Sequence, residues 1–292
     1  MATVLITGSS QGIGLATAIA FARAGYQVAA SVQKLSASTE IATIAEKEKL
    51  DIRVYQIDVD SDSSVNEGVS QILNETGSID VLVNNAGIER MGTVEDVGLA
   101  DFRAVMETNY FGVIRCVQAV LPGMRKRRSG CIINITSIAG RFAVPAMSAY
   151  AASKYALECL SETLAQEVKS FGIRVAIVEP GIINTAMAQH VTTIPEASNY
   201  PHTARLSALF SASLKNPVPP SVVADKIVEI ASINSEQLRY PVGPDALPFL
   251  GWRQSMSDEE WVTLGSSEDD DWYKRVEADF GMPIRPVTEQ EK

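Results

Sequence analysis

The sequence predicts an α/β fold: a doubly wound, parallel, seven-stranded sheet with helices on both faces. Three observations carry this. Short, almost continuously apolar runs recur along the chain, longer segments with helical spacing separate them, and a glycine-rich turn joins the first run to the first helical segment. Apolar runs without alternation are strands buried on both faces, as in a parallel sheet, and right-handed crossovers then lead to the doubly wound arrangement.

Taken in order, the first strand is expected at 3–7, close behind the initial Met, and the next at 27–32, 52–57, 79–83, 131–136, 174–178 and 238–242. Helical segments fall between them at 15–24, 37–50, 64–76, 99–125 and 148–171. Residues 1–245 therefore read as one domain. Residues 185–220 break the rhythm with Pro195, Pro201, Pro217, Pro219 and Pro220, and are expected to form an irregular lid over a substrate. The basic run Arg125-Lys126-Arg127-Arg128 reads as a solvated helix C-terminus.

The 292 residues are 46% apolar and 21% charged, an ordinary globular composition with a net charge of −10. Eleven acids and four bases lie in 258–292, so that segment carries −7 and the rest −3. Neither part has the basic face that nucleic-acid or anionic-membrane binding needs. Cys116, Cys131 and Cys159 form no C-x-x-C, which argues against a disulfide framework and for a reducing compartment. With only His190 and His202 and no thiolate cluster, no metal site is expected. No apolar run reaches the ~20 residues of a membrane span, and the first strand leaves no room for a leader, so the expected address is the cytoplasm.

The turn Thr7-Gly8-Ser9-Ser10-Gln11-Gly12-Ile13-Gly14 leads straight into a helical pattern. Glycines let backbone approach a pyrophosphate, and the helix start offers free N–H groups and a positive dipole end. Further along, Tyr150 and Lys154 are four apart and so share a helix face. A neighbouring ammonium favours phenolate, which would draw the tyrosine down from its usual pKa of about 10 toward acid–base use near neutrality. Ser137 follows a strand at its carboxyl end, where open α/β sheets place their sites.

The G-x-x-x-G-x-G spacing, Asn84-Asn85-Ala86-Gly87, Asn109, Ser137, Tyr150-x-x-x-Lys154 and Pro180-Gly181-x-x-x-Thr185 occur in one order over residues 3–245. Together they closely resemble the short-chain dehydrogenase/reductase family, and residues 109–180 look most like its steroid and retinol dehydrogenase branch. The resemblance implies a Rossmann-type fold and an NAD(P)(H)-dependent oxidoreductase interconverting a ketone and a secondary alcohol. It implies a catalytic tetrad in which Tyr150 is the general acid/base, Ser137 orients the substrate oxygen, Lys154 lowers the tyrosine pKa and binds nicotinamide ribose, and Asn109 holds a relay water through its backbone carbonyl.

Nucleotide contacts carry over to Gly8, Ser10, Gln11, Gly12, Ile13 and Gly14, to Gln33, Lys34, Asp58 and Val59, and to Asn85, Ala86 and Gly87. Tyr150, Lys154, Pro180, Gly181, Ile183 and Thr185 complete the set. No carboxylate lies between positions 28 and 39 to hold an adenosine ribose 2′-OH, and Lys34 is the nearest cation, so NADP(H) is favoured over NAD(H). The basic residues that family NADP enzymes carry near Gln11 or Gln33 are absent.

The resemblance also implies substrate-facing positions at Glu89, Arg90, Ile138, Phe142, Met147 and Met187, with Leu206 and Phe210 in the lid. They describe a largely apolar pocket for a medium or bulky ketone or alcohol. His190 and His202 read as surface residues of the lid, with substrate contact as the alternative. A catalytically silent nucleotide-binding scaffold or redox sensor is the competing function, disfavoured by the intact tetrad. Family members commonly pair through their Asn109-bearing and Tyr150-bearing helices, which implies a homodimer or homotetramer.

Residues 246–292, which include the acidic segment, hold all three tryptophans, Trp252, Trp261 and Trp272. Ser257-Asp258-Glu259-Glu260 has capping-box form, Ser267 to Asp271 reads as a second helix start, and Trp272, Val276 and Phe280 recur at helical spacing before Gly281. Residues 246–292 are therefore expected to form two short helices packed on the domain or on a partner subunit.

Overall fold

A computed structural model describes residues 1–193 and 198–285, so Pro195 lies outside the described residues. Seven strands form one parallel sheet: β1 Thr3–Ile6, β2 Gln27–Val32, β3 Ile52–Gln56, β4 Val81–Asn84, β5 Gly130–Ile135, β6 Ile173–Pro180 and β7 Arg239–Val242. Their order is β3-β2-β1-β4-β5-β6-β7, the doubly wound Rossmann arrangement with its reversal between β1 and β4. β1 pairs with β2 at Thr3 and Gln27 and with β4 at Val4 and Val81, placing the ends of β1 and β4 side by side at the crevice where such sheets bind ligands.

The helices are α1 Gly12–Arg23, α2 Thr39–Glu48, α3 Asp62–Thr76, α4 Leu99–Met106, α5 Gly112–Arg127, α6 Ser148–Val168, α7 Ala186–Val191, α8 His202–Ser213, α9 Pro220–Ser232, α10 Ala246–Gln254, α11 Asp258–Gly265 and α12 Asp269–Phe280. One face of the sheet buries Val4, Ile6 and Val28 against α1 and α9; the other buries Leu5, Leu82 and Ile132 against α3, α5 and α6. Adjacent strand residues thus point into opposite cores, which is why the runs are continuously apolar. Among the buried polar residues of the strands, Asn84 and Asn134 are linked at 2.8 Å across β4 and β5, with Asn134 donating onward to Ser161. Among the described residues no helix is long and apolar enough to cross a membrane.

The sequence expectation of one helix over 99–125 is resolved into α4 and α5 joined by a π-helical turn, Glu107–Phe111, centred on Asn109. Such bulges widen one turn and often occur at functional sites. The stretch expected to be irregular is largely helical instead. Thr185 N-caps α7 by accepting from the Ala188 amide, Pro201 directly precedes α8, and Pro219 and Pro220 start α9, where a missing N–H does no harm.

The described part of the extension, residues 246–285, contains three helices rather than the two expected. α11 begins with the expected capping box at Ser257 and Glu260, and α12 ends at Gly281 in left-handed conformation. α10, which carries Trp252, has no side-chain cap to announce it in the sequence. Acids occupy the first turns of α11 and α12, where the helix dipole favours them.

Candidate active site

At the carboxyl ends of the strands lies a cavity of about 1250 Å³, running from the glycine turn past Ser137 and Tyr150 to the extension. Its nucleotide end is built by the β1–α1 turn. Gly8 has φ +68°, and a Cβ there would stand 2.8 Å from the Ala86 Cα, so the turn and the β4 end approach as closely as backbones allow. Asn85 locks this approach by donating from Nδ2 to the carbonyls of Thr7 and Gly8 at 2.9 and 3.1 Å. The Thr7 hydroxyl accepts from the amides of Asn85 and Ala86. Thr7 was not singled out in the sequence, although a hydroxyl just before a glycine turn was its available signal.

Gly8, Ser10, Gln11, Gly12 and Ile13 line the cavity, as do Gln33, Asp58, Val59, Asn85, Ala86 and Gly87. Gly14 lies behind them, within the first turn of α1. Gln33 donates to the Asp58 carboxylate at 3.3 Å. Lys34 does not line the cavity; it is exposed beside Gln33, with no ion pair among the described residues.

Opposite, Pro180, Gly181, Ile183 and Thr185 border the cavity after β6. Asp245, which follows β7, holds this segment by accepting from the Ile182 amide at 2.7 Å. A Cβ on Gly181 would fall 2.1 Å from the Asp245 carboxylate, so only glycine admits that carboxylate. Asp245 went unnoticed in the sequence because its partner is distant along the chain; burial raises its pKa.

Ser137, Tyr150 and Lys154 converge on the middle of the cavity. Ser137 sits two residues beyond β5, and its Oγ accepts from the Ala139 amide at 3.1 Å, leaving the hydroxyl proton free to be donated. Lys154 is buried one helical turn beyond Tyr150. Its Nζ donates to the Ile135 carbonyl at 2.8 Å and stands 5.5 Å from the centre of the Tyr150 ring.

The electrostatics depart from the sequence expectation. Burial pushes Tyr150 up to about 12, with Ser137 acting to lower it and the Glu89 charge raising it further. Burial likewise lowers Lys154 to about 8, opposed by the charge of Glu158. Desolvation outweighs the Ser137 hydrogen bond and so favours the protonated phenol at Tyr150, while the Lys154 ammonium gives one of its three protons to Ile135.

Asn109 is fully buried and does not line the cavity. Its side chain accepts from the Ile88 amide at 2.8 Å and donates to the Ile88 carbonyl and to Ser153, both at 2.9 Å. It fixes the segment after Gly87 against α6.

At the substrate end, Glu89, Ile138, Phe142, Met147 and Met187 line the cavity together with Leu206 and Phe210 of α8. Arg90 also borders it but is turned into a pair with Asp101 at 3.0 Å. His190 bonds Glu89 at 2.7 Å and His202 bonds the Gly265 carbonyl at 3.0 Å, so both lid histidines are contacts within the protein.

The far wall comes from the extension, a contribution that residue spacing did not disclose. Trp261 packs edge-on against Phe142, with centroids 5.9 Å apart, and donates to the Ala143 carbonyl at 3.0 Å. Trp252 packs against Trp261, and Val262, Leu264, Trp272 and Val276 complete the surface. Arg205 of α8 is 3% exposed; it donates to Asp269 and to the carbonyls of Gly265 and Ser267. The extension therefore docks over the lid of its own chain.

A Rossmann sheet, a glycine turn at its crevice and a Ser–Tyr–Lys cluster in the same cavity define a nucleotide-dependent oxidoreductase. Residues 2–195 match the model of the short chain dehydrogenase family, and the chain belongs to that family. It is 37% identical over 267 residues to Oxidoreductase BOA17 of Botryotinia fuckeliana, covering 89% of this chain and 96% of the relative. It is 39% identical over 254 residues to human Retinol dehydrogenase 8, covering 81% and 80% respectively, in keeping with the retinol and steroid dehydrogenase-like branch. A solved short-chain dehydrogenase from Streptomyces avermitilis superposes with a TM-score of 0.75 at 31% identity, covering 91% of this chain and 98% of the other.

Proposed function

We propose that the protein interconverts a ketone and a secondary alcohol on a medium or bulky, largely apolar substrate, with Tyr150 as general acid/base. The observation carrying this is the convergence of Ser137, Tyr150 and Lys154 on one cavity continuous with the glycine turn. That turn fits a dinucleotide: a side chain at Gly8 would fill the approach, and α1 presents its N-terminus there. When bound, NAD(P)(H) supplies or accepts the hydride.

The protein's own residues do the rest. Ser137 donates its free hydroxyl proton to the substrate oxygen and orients it. Tyr150, protonated, gives its proton to that oxygen as charge develops, and recovers it in the reverse direction. Lys154, 5.5 Å from the centre of the Tyr150 ring, holds the ribose hydroxyls in this reading. Asn109 positions the loop carrying Glu89. The apolar lid and tryptophan wall exclude water, which strengthens each of these interactions.

NADP(H) is the favoured cofactor, because β2 ends without a carboxylate and Lys34 stands exposed beside it. The name of the human relative, a retinol dehydrogenase, agrees with a bulky apolar substrate. The test is turnover of a panel of aryl, steroid and aliphatic ketones with NADPH and NADH. Tyr150→Phe is expected to remove nearly all turnover and leave nucleotide affinity within a few-fold; substantial remaining activity overturns the role of Tyr150.

A further inference from the structure

Glu89 is an acid at the end of the cavity that Ile138, Phe142, Met147 and Met187 also line. It is 9% exposed and lines the cavity, and bonds on both sides fix its backbone. Asn109 clamps the preceding residue, Ile88, through both its amide and its carbonyl. Arg90, itself tied to Asp101, donates to the Glu89 carbonyl at 2.7 Å. One carboxylate oxygen, Oε1, meets His190 Nδ1 at 2.7 Å. The other, Oε2, is buried and has no hydrogen-bond partner.

A buried carboxylate oxygen without a donor is costly, and folded proteins keep few of them. The other cavity-lining ions differ: Lys154 is taken up by Ile135, Arg205 by Asp269 and two carbonyls, and Asp58 by Gln33. Among the described residues, Glu89 is the ionised cavity-lining group with a partnerless carboxylate oxygen, and its charge is felt at Tyr150; the Ser148 hydroxyl, also buried and without a partner, lines the same cavity as a neutral group.

We infer that Glu89 determines specificity by accepting a hydrogen bond from a second polar group of the substrate, a hydroxyl or an ammonium within a few carbons of the reacting carbonyl. This rests on the proposed ketone and alcohol chemistry and narrows it. The substrate is an apolar ketone bearing a donor, so the matching alcohol is a diol or an amino alcohol. A site built to accept from a donor discriminates strongly against the analogue lacking it, since the buried acceptor is then left bare.

The experiment uses a long-chain methyl ketone and its α-hydroxy and α-amino counterparts of equal length. Two readouts are taken: kcat/KM with NADPH, and the Tm of the NADPH-loaded protein with each compound. The wild type is expected to favour at least one donor-bearing compound by about tenfold and to gain the larger Tm rise from it. Glu89→Ala should erase the preference. Glu89→Gln, nearly isosteric and so the safer variant for folding, should keep part of a hydroxyl preference and lose an ammonium preference.

No preference in the wild type, or the same preference in both variants, overturns the inference. If no ketone turns over, the proposed reaction fails. The Tm readout then still decides whether Glu89 reads a donor, because it requires binding alone.

Discussion

Arg205 of α8 donates to Asp269 of α12 at 2.6 Å, so the lid and the extension close the cavity as one piece. The guanidinium also stacks on Trp272, 5.6 Å from the ring centre, and caps the carbonyls of Gly265 and Ser267. Arg205→Ala removes a buried cation and takes the donor from the Ser267 carbonyl and from Asp269, while the Gly265 carbonyl keeps its bond to His202. The expected loss is about 2–3 kcal/mol, seen as a fall in Tm of several degrees with nucleotide affinity unchanged. Arg205→Lys should recover little, because an ammonium cannot reproduce the planar fork. An unchanged Tm in the alanine variant would remove the coupling.

Trp261 sets the size of the far wall. Trp261→Ala takes away the ring against Phe142 and the bond to the Ala143 carbonyl. The preference among ketones is expected to move toward bulkier members by about tenfold in kcat/KM. Nucleotide affinity should be unaffected, since the tryptophan lies at the opposite end. An unaltered substrate profile would show that the extension covers the cavity without shaping it.

Lys34→Ala tests cofactor choice. If Lys34 meets a 2′-phosphate, NADPH affinity should fall by up to about tenfold while NADH affinity holds. An equal effect on both would return Lys34 to the solvated surface.

The Tyr150–Lys154 pair predicts an alkaline signature in stability. Lys154 is lowered from 10.5 to about 8 by burial, so between those values the unfolded chain binds more protons than the folded one and stability rises with pH. The ceiling is on the order of 3 kcal/mol. Tyr150 is raised from 10.0 to about 12, so above pH 10 the unfolded chain releases its proton first and stability falls. The difference in stability between wild type and Lys154→Met, measured by urea unfolding from pH 7 to 11, isolates the lysine effect. A difference independent of pH would show that the lysine is not desolvated.

Much of this was legible because the signals are local. All seven strands lie within two residues of their expected starts, since continuous burial leaves a continuous apolar run. The glycine turn, Ser137, Tyr150 and Lys154 were legible because close backbone approach and helix periodicity are written at short range. Asp245, Arg205 and the Glu89–His190 contact were not, because each acts on a partner at least 60 residues away. The upward push of burial on Tyr150 was not legible for a related reason: spacing shows which groups are neighbours but not how little water reaches them. The prolines of the lid led toward an irregular stretch, whereas Pro219 and Pro220 stand where a helix begins.

The tryptophan wall also gives the molecule an order of assembly. During synthesis the glycine turn, Ser137, Tyr150 and Lys154 all leave the ribosome before α10 does, and N-terminal parts generally fold first. A nascent chain that has reached β7 already contains every strand of the sheet, while the face around Phe142 still awaits Trp261. The strands and the glycine turn thus precede the extension that builds the far wall, and in the interval the apolar face around Phe142 is without its cover, the kind of surface that favours aggregation.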